Sequence, residues 1–258
     1  MCAEGRLVRA AVRGGWKSDL YEYARFDCWL PDVDLDEIAP EQGRVALARE
    51  YFDSYGPATA EDFRWWSSLS KEEAERAMAA QGSHFGPPSS QMVPIQIDGI
   101  DHWLLASRLD DLRRCPAELP QGVRLLPVWD AYLMTYKGRR RYLPDGWYDS
   151  VYASPRRLRC AGRGMGDATS SVLLNGAVGG MWGFQEEKKT LVVKVALFEP
   201  AGPGVWHALR DQVVRLAQAA GYPSTALVRC QPVTLKGGAQ NLFKSPLKAT
   251  TGETIFRM

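Results

Sequence analysis

The stretch that decides the fold is "ATAEDFRWWSSLSKEEAERAMAAQG", residues 58–82, which carries two helix-start signals in close succession. Thr59 is followed three residues later by Asp62, and Ser70 is followed three residues later by Glu73. Each pair has the form of a capping box, in which the hydroxyl and the acid satisfy each other's backbone N–H groups. The short link "SSLS" separates the two predicted helices, so the stretch predicts a helix-turn-helix.

The flanking sequence predicts a helix before this unit and a hairpin after it. Residues 41–56, "EQGRVALAREYFDSYG", place apolar side chains near one helical face, and Gly56-Pro57 ends the pattern. Residues 92–106, "MVPIQIDGIDHWLLA", alternate apolar and polar residues around Asp98-Gly99, a strong hairpin turn signal. Three helices followed by a hairpin predict a winged helix over about residues 31–115. The apolar helical positions are Val45, Leu47, Ala48, Tyr51 and Phe52.

The sequence on either side of residues 31–115 is predicted to be mainly β. Residues 1–30 indicate a hairpin around Gly14-Gly15, which belongs to something upstream or docks on the rest of the chain, because an isolated hairpin is marginal in water. Residues 116–258 are β-rich and include a second turn signal at Asn175-Gly176. One long helix is expected over about residues 203–220, and the last 30 or so residues are expected to be loop-like. Strands are predicted in "VRLLPVWDAYLMTY", "SSVLLNGAVGGMWGF" and "KTLVVKVALFEP".

The composition excludes several classes of protein. With 258 residues and a net charge of +2, the chain can build a proper core, and a nucleic-acid partner must be met by a local basic face. No apolar run approaches the roughly 20 residues needed to cross a bilayer, and "CAEGRLVRA" has no apolar core of a signal peptide. Five cysteines without a C-x-x-C pair favour a reducing cytoplasm over a zinc site or disulfides. The three scattered histidines, His84, His102 and His207, favour neither a metal site nor any cofactor.

Three blocks, in this order, resemble the AlkZ-like family of winged-helix DNA-binding proteins: "REYFDSYGPATAEDFRWWSSLS", "LLPVWDAYLMTYKGR" and "VLLNGAVGGMW". The family includes bacterial DNA glycosylases that remove alkylated bases and unhook interstrand crosslinks. The resemblance implies tandem winged helices followed by a β-rich module, and a catalytic Gln-apolar-Gln or Gln-apolar-Asp motif near the N-terminus. It makes residues 1–30 the wing of a first, truncated unit whose helices, with the catalytic motif, are expected before Met1. The predicted fold class is therefore α+β: a winged helix-turn-helix, tandem with the first one truncated, then a β-rich domain with one long helix.

Gln96 and Asp98 are the catalytic candidates within the chain. Excision of a base by water needs a group that orients or deprotonates the water. Residues two apart in a strand point to the same side, so the pair is geometrically allowed. However, the Asp-Gly turn and the polar strand face explain both residues without catalysis. We therefore favour the wing interpretation and expect DNA binding with weak or no excision; the alternative function is a non-catalytic winged-helix regulator or interaction module.

Two basic regions are candidates for DNA contact. The predicted recognition helix offers Lys71 and Arg76 among three glutamates, and this acidic excess favours a packing role. The arginine-rich segments "YKGRRRYLP" and "SPRRLRCAGRGMGD" suit phosphate contacts and base stacking better, because aromatics and glycines interleave the arginines. The expected partner is double-stranded DNA, damaged or crosslinked, bound by a monomer without membrane or cofactor. The candidates in these segments are Lys137, Arg139, Arg140, Arg141, Arg156, Arg157, Arg159 and Arg163.

Overall fold

The computed structural model describes residues 2, 4–14, 20–81, 91–116, 122–153, 167–232, 247 and 251–258. Helices and strands are numbered here separately in chain order. The helices are α1 (Phe26–Trp29), α2 (Pro40–Tyr55), α3 (Ala60–Ser67), α4 (Lys71–Ala79), α5 (Leu109–Arg114), α6 (Ala131–Thr135), α7 (Tyr148–Val151) and α8 (Pro203–Ala219). The strands are β1 (Leu7–Arg13), β2 (Leu20–Arg25), β3 (Met92–Ile97), β4 (Ile100–Leu105), β5 (Val123–Leu126), β6 (Tyr152–Ala153), β7 (Asp167–Ala168), β8 (Ser171–Leu174), β9 (Ala177–Glu187), β10 (Thr190–Leu197), β11 (Ser224–Arg229) and β12 (Glu253–Arg257).

Both predicted capping boxes are present at the starts of α3 and α4. The Thr59 hydroxyl accepts from the Asp62 backbone N–H at 3.0 Å, and the Asp62 carboxylate accepts from the Thr59 N–H at 3.1 Å. Ser70 and Glu73 repeat the arrangement at 3.3 and 3.0 Å. The predicted apolar face of α2 is also confirmed, since its buried residues are Val45, Ala48, Tyr51 and Phe52, with Leu47 partly buried against the same core.

The hairpin β3–β4 follows the predicted register and turn. Gln96 lies opposite Asp101 and Ile97 opposite Ile100, so Asp98 and Gly99 form the turn. Both turn residues have positive φ, 51° and 75°, as a type I′ turn requires. Reciprocal backbone bonds between Ala58 and Trp103, at 3.2 and 2.8 Å, attach β4 to the link between α2 and α3.

The N-terminal hairpin pairs β1 with β2 in antiparallel register, with an irregularity between Arg9 and Ala11. The predicted turn at Gly14-Gly15 lies partly outside the described residues, because residues 15–19 are not described. The hairpin and the segment after it leave several large apolar side chains exposed. These are Val12, Leu20, Tyr23, Trp29, Leu30, Val33, Leu35 and Ile38.

The C-terminal half is built on a six-stranded sheet with the order β12-β11-β10-β9-β8-β5. Its neighbours are antiparallel except β10 and β11, which are parallel and are joined through α8. Both faces of β10 are buried, because Leu191, Val193 and Val195 join the cluster under α8 while Val192 and Ala196 join the other cluster. That second cluster also contains Tyr51, Phe52 and Phe63 from α2 and α3, so one core joins the helical unit to the sheet across the boundary predicted near residue 115.

Two sequence-based predictions about the second half are wrong. "DAYLMT" was expected to be β structure but forms α6, because the Asp130 side chain caps the helix by accepting from the Tyr132 N–H at 3.0 Å. The C-terminal residues were expected to be loop-like, yet β12 pairs antiparallel with β11 at the sheet edge. This short strand is mostly exposed and its partner strand is distant in sequence, so the local sequence pattern does not predict it. The segment "LKGGAQNLFKSP" lies outside the described residues.

Candidate nucleic-acid interface

Asp62 fixes the start of the basic segment 137–141 against α3. Its Oδ1 accepts from the backbone N–H groups of Lys137 at 2.8 Å and Gly138 at 3.1 Å. Its Oδ2 accepts from the Thr59 N–H and from the Thr59 hydroxyl at 2.9 Å. The side chain is only 5% exposed, so this carboxylate is a buried acceptor with four donors and not part of the open surface.

Arg139 is half-buried and fully engaged within the protein. Its guanidinium donates to the Leu133 carbonyl and, at 2.8 Å, to the Tyr142 hydroxyl. The same group lies 4.7 Å from the Trp65 ring centroid and 4.5 Å from that of Tyr152. A cation that lies over two aromatic rings and donates from one of its nitrogens to groups inside the fold is a packing element. The sequence-predicted phosphate contact of Arg139 therefore competes with its contacts inside the fold.

A buried tyrosine cluster surrounds the same carbonyl. The Leu133 oxygen also accepts from the hydroxyls of Tyr142 at 3.0 Å and Tyr152 at 2.8 Å, and these two hydroxyls lie 2.8 Å apart. Burial raises the pKa of the Tyr152 phenol far above its ordinary value. Burial likewise raises the pKa of Tyr136 to about 12. These phenols stay protonated at neutral pH, so they act as hydrogen-bond donors and not as bases.

Arg141 and Tyr136 make a second set of contacts with the α2–α3 link. Arg141 donates to the Pro57 carbonyl at 3.1 Å, and its guanidinium lies 3.8 Å from the Tyr136 ring centroid. The Tyr136 hydroxyl donates to the Tyr55 carbonyl at 2.8 Å. Arg141 remains exposed, but one edge of its fork is used in holding the basic segment on the helical unit.

Arg140 and Lys137 are the basic side chains of this segment that project most freely. The Arg140 side chain is 91% exposed and lies 3.6 Å from the Asp145 carboxylate, which is itself 86% exposed. Lys137 pairs with Glu61 at the start of α3. Exposed ion pairs of this kind are worth about 0–1 kcal/mol and exchange readily for other partners. Both cations are thus accessible to an anionic ligand.

The strands that flank the second basic segment in sequence are described, whereas the segment itself is not. Arg156, Arg157, Arg159 and Arg163, with the sequence "GRGMG", lie outside the described residues. The strands on either side of them, β6 and β7, are described and pair through Tyr152 opposite Ala168. Because Tyr152 also contacts Arg139 and Tyr142, strand β6 lies beside the first basic segment. Between residues 137 and 163 the sequence has eight basic residues and two acidic ones.

The helix α4 presents a weaker basic surface. Lys71 lies 3.9 Å from Glu75 on the next turn, and Arg76 is exposed on the same helix. Glu73 pairs with Arg44 of α2 at 3.0 Å, and the Ser70 backbone N–H holds the pKa of Glu73 below its ordinary value. The remaining buried residues, Ala74, Ala77 and Met78, pack on the core. The helix therefore carries two exposed cations beside three carboxylates.

Gln96 and Asp98 are not brought together in the hairpin. The Gln96 amide donates across the strands to the Asp101 carboxylate at 2.6 Å. Asp98 occupies the turn, where its positive φ of 51° is explained by the tolerance of aspartate for the left-handed region. Both side chains are exposed, whereas a water-activating pair needs a shared and sheltered site.

Two exposed aromatics beside the basic segments were missed from the sequence. Trp129 is 44% exposed and has a positive φ of 58°. Tyr148 is 46% exposed, and its ring stacks on Tyr152 at 5.1 Å between centroids. The only available signal was their position in aromatic-rich stretches that flank the arginines. In contrast, Trp65 lies under Arg139 and Trp66 packs 5.0 Å from the Tyr51 ring, so both have contacts inside the fold.

Within the described ranges, no group of three or more His, Cys, Asp or Glu side chains is arranged to hold a metal ion. Across those same ranges, no helix is long and apolar enough to cross a membrane. His84 and Cys160 fall outside them.

The known proteins to which this chain is similar are DNA glycosylases. The family model described as "DNA glycosylase AlkZ-like" matches residues 1–219. The Interstrand DNA cross-link repair glycosylase of Streptomyces sahachiroi is 27% identical over 155 residues, which are 60% of this chain and 36% of that protein. The solved structure of Streptomyces sahachiroi DNA glycosylase AlkZ matches with a TM-score of 0.61 and 20% identity. It covers 87% of this chain and 54% of that one, so the chain spans about half the length of the solved relative.

Proposed function

The chain belongs to the AlkZ-like DNA glycosylase family, and from this premise we propose that it binds double-stranded DNA that carries alkylated or crosslinked bases. The family match extends over residues 1–219 and so includes the helical unit, both basic segments and most of the sheet. The chain covers 36% of the length of its curated relative, an interstrand DNA cross-link repair glycosylase.

The observation that carries the proposal is the concentration of positive charge between residues 137 and 163, part of which lies on a described segment packed beside Tyr152. Arg139 contacts Tyr152, which directly precedes the segment that holds Arg156 to Arg163. The eight basic and two acidic residues between 137 and 163 give this part of the chain a net charge of +6, against +2 for the whole. A local excess of this size supplies the phosphate contacts that dominate DNA affinity.

Two of the arginines have a supporting part in this proposal. Arg139 and Arg141 hold the segment on α3 and on the α2–α3 link through the contacts described above. They therefore present Arg140 and Lys137 outward from a rigid base. Side chains on a rigid base lose less freedom when they bind than those on a loose loop.

We further propose that residues 31–115 act as a winged helix in which α4 faces the DNA and β3–β4 is the wing. The order of three helices and a hairpin supports it, as does the short pairing of Ala58 with Trp103 that attaches the hairpin. The acidic side chains of α4 weaken its contribution to DNA affinity, and Lys71 and Arg76 are the residues of this helix that contact the DNA. Residues 1–30 form the wing of a further unit in the same proposal.

Excision of bases is not expected from Gln96 and Asp98. The pattern Gln-apolar-Asp occurs once in these 258 residues, and Gln96 is bonded to Asp101 in an exposed hairpin. This pairing favours a second candidate function, a non-catalytic DNA-binding module. Release of 7-methylguanine from alkylated duplex DNA separates the two candidates. Equal release by the wild type and by Gln96→Ala/Asp98→Ala, whether zero or not, agrees with the wing role, whereas a loss in the variant assigns catalysis to this pair.

DNA binding is tested with a charge-matched pair of variants. Fluorescence anisotropy of a labelled duplex at several salt concentrations is measured for Arg140→Gln/Arg157→Gln. We expect weaker binding and a slope of log K against log salt that is smaller by about 2, since each lost phosphate contact removes about 1. The control Arg113→Gln/Arg114→Gln removes the same charge from exposed residues of α5 that pair with Asp110 and Asp111.

The two variants give a clear decision. A salt slope that is unchanged in Arg140→Gln/Arg157→Gln, or changed equally in the control, shows that the basic segments are not the DNA-binding surface. Absence of duplex binding by the wild type at low salt overturns the proposed function as a whole.

A further inference from the structure

The first part of the chain has no core of its own. Among the described residues, none before Val45 is buried. Of the sixteen large apolar side chains that are exposed in the described ranges, eight lie from Val12 to Ile38, and we call these eight the N-terminal face. An isolated two-stranded hairpin is marginal in water, and a concentration of exposed apolar side chains marks an interaction site. The N-terminal face therefore needs a cover.

A groove at the base of the hairpin gives apolar side chains of a partner a place to insert. The Leu35 side chain occupies the space beside Gly5 that a Cβ would fill, so the segment after α1 folds back on the start of β1. Between these two parts lies a cavity of about 500 Å³, lined mainly by Leu7, Phe26, Val33 and Leu35, with Arg25 and Asp27 among its polar residues. Side chains that fill such pockets contribute most of the affinity of protein interfaces.

The hairpin and the segment after it carry opposite charge. Residues 1–25 have five basic and three acidic side chains, a net charge of +2, whereas residues 26–39 have five acidic and no basic ones, a net charge of −5. The carboxylates of Asp32, Asp36 and Glu37 form no ion pair with any basic residue of the described chain. Because an acidic segment repels phosphates, DNA does not suit this face as a cover.

We propose that the N-terminal face is covered by the same face of a second copy of this chain, in a two-fold dimer. A two-fold contact brings one patch against itself, so a patch with a basic part and an acidic part can satisfy both at once. The hairpin of each copy then lies on the acidic segment of the other. The region has 30 described residues, 4–14 and 20–38, and each side of a stable interface ordinarily contributes about 20–30.

This inference goes beyond the proposed function and differs from the monomer expected from the sequence. No residue between 137 and 163 belongs to the N-terminal face, so association and DNA binding are tested separately.

The first test measures the mass of the full chain by sedimentation velocity, and we expect a dimer with twice the 28.7 kDa of one chain. Trp29→Ser/Ile38→Ser removes side chains that are 51% and 59% exposed, and should raise the dimer dissociation constant by roughly tenfold or more. The control Ile100→Ser/Leu112→Ser removes apolar side chains that are 57% and 40% exposed outside the face, and should leave the constant unchanged. Circular dichroism confirms that each variant is folded.

Reversal of charge tests which parts of the two copies meet. Asp36→Lys/Glu37→Lys reverses the acidic segment and keeps Asp34, whose side chain accepts from the Asp36 N–H at 2.9 Å. Arg9→Glu/Arg13→Glu reverses the hairpin. Each variant alone should be monomeric, because like charges meet at both contacts of its dimer. An equimolar mixture should form a heterodimer in which opposite charges meet at both contacts, and this recovery also shows that both variants are folded.

Four outcomes overturn the inference. They are a wild type that is monomeric at the highest soluble concentration, and an assembly larger than a dimer, since a two-fold contact closes at two copies. A dimer that the control weakens as much as Trp29→Ser/Ile38→Ser uses another surface. A mixture of the charge-reversed variants that stays monomeric shows that the hairpin and the acidic segment do not meet.

Discussion

The two capping boxes of the helical unit have the same sequence pattern and very different surroundings. At the start of α3, Asp62 is buried and accepts from Thr59 and from the backbone of Lys137 and Gly138. At the start of α4, Glu73 satisfies Ser70 and pairs at the surface with Arg44. The first box joins the helical unit to a segment more than seventy residues away, whereas the second serves its own helix and a neighbour in the same unit.

This difference shows that a local motif can carry a long-range function without any change in its pattern. The box at α3 positions the basic segment, because the same carboxylate that caps the helix also binds Lys137 and Gly138. The box at α4 leaves its helix with exposed cations and carboxylates and no such attachment. Substitutions made in parallel at the two helices therefore measure what the attachment contributes.

The largest effect is expected from Asp62→Ala. It removes the acceptor for two backbone groups of the basic segment and for the Thr59 cap, all in a buried site. Buried donors without a partner cost about 1–3 kcal/mol each, so we expect a loss of about 3 kcal/mol in the free energy of unfolding. Urea denaturation measures the loss, and DNA binding at a temperature where the variant is folded should also weaken.

Glu73→Ala is the matched control for that substitution. Its carboxylate is exposed enough that water replaces it, so the loss of stability should be much smaller and DNA binding should not change. Equal losses for Asp62→Ala and Glu73→Ala would mean that the contacts with Lys137 and Gly138 contribute little beyond the cap.

The second prediction compares one arginine beside each box. Arg139→Gln removes a hydrogen bond to Tyr142 and the contacts with Trp65 and Tyr152. Hydrogen bonds from charged groups contribute about 1.5–3 kcal/mol and an exposed cation–π contact about 0.5–1 kcal/mol. We expect the free energy of unfolding to fall by about 2–3 kcal/mol. Arg76→Gln on the exposed face of α4 should leave the free energy of unfolding unchanged within error when both variants are measured by urea denaturation. A comparable loss in Arg76→Gln would contradict the packing role assigned to Arg139.

A third prediction concerns alkaline pH. Tyr136 is buried, donates to the Tyr55 carbonyl, and has a pKa raised to about 12. The folded protein therefore keeps the proton that the unfolded chain loses from about pH 10 upward. Its contribution to stability is complete below pH 10 and falls as pH rises, by about 2 kcal/mol at pH 12. Between pH 9 and about 12, the melting temperature should fall more steeply with pH for the wild type than for Tyr136→Phe. Parallel curves would contradict the raised pKa of Tyr136.

The sequence predicts the features that depend on local interactions better than those that depend on contacts between distant residues. The boxes at Thr59 and Ser70, the Asp98-Gly99 and Asn175-Gly176 turns and the apolar face of α2 are local, and the structure contains each of them. The helix α6 was missed because apolar residues dominate its short sequence, although Asp130 carries a cap signal. The strand β12 was missed because its pairing partner lies far along the chain.

The candidate site is less predictable than the fold for a physical reason. Three adjacent arginines, 139 to 141, have the same charge and differ in what packs beside them. Arg139 lies between two aromatic rings, Arg141 lies over one, and Arg140 projects into solvent. A run of basic residues in the sequence predicts a basic region. Which of its side chains pack inside the fold and which remain accessible depends on Trp65, Tyr136 and Tyr152, and only tertiary packing brings these rings next to the arginines. The strained backbone of Trp129 has no signal in the sequence at all.

The smallest effect is expected from Ser70→Ala at the second box. Loss of a serine N-cap costs about 1 kcal/mol, and here no distant segment depends on it.

The Ser70 N–H also lowers the pKa of Glu73, so the stability linked to that carboxylate is present above the ordinary glutamate pKa and is lost as pH falls below it. Thermal unfolding from pH 3 to about 7 should therefore show an acid-side loss in the wild type that is reduced in Glu73→Gln, since glutamine keeps the box without titrating. Thr59→Ala, measured beside Ser70→Ala at neutral pH, should cost more, because it also disturbs the carboxylate that holds the basic segment; an equal cost would show that the two boxes contribute alike.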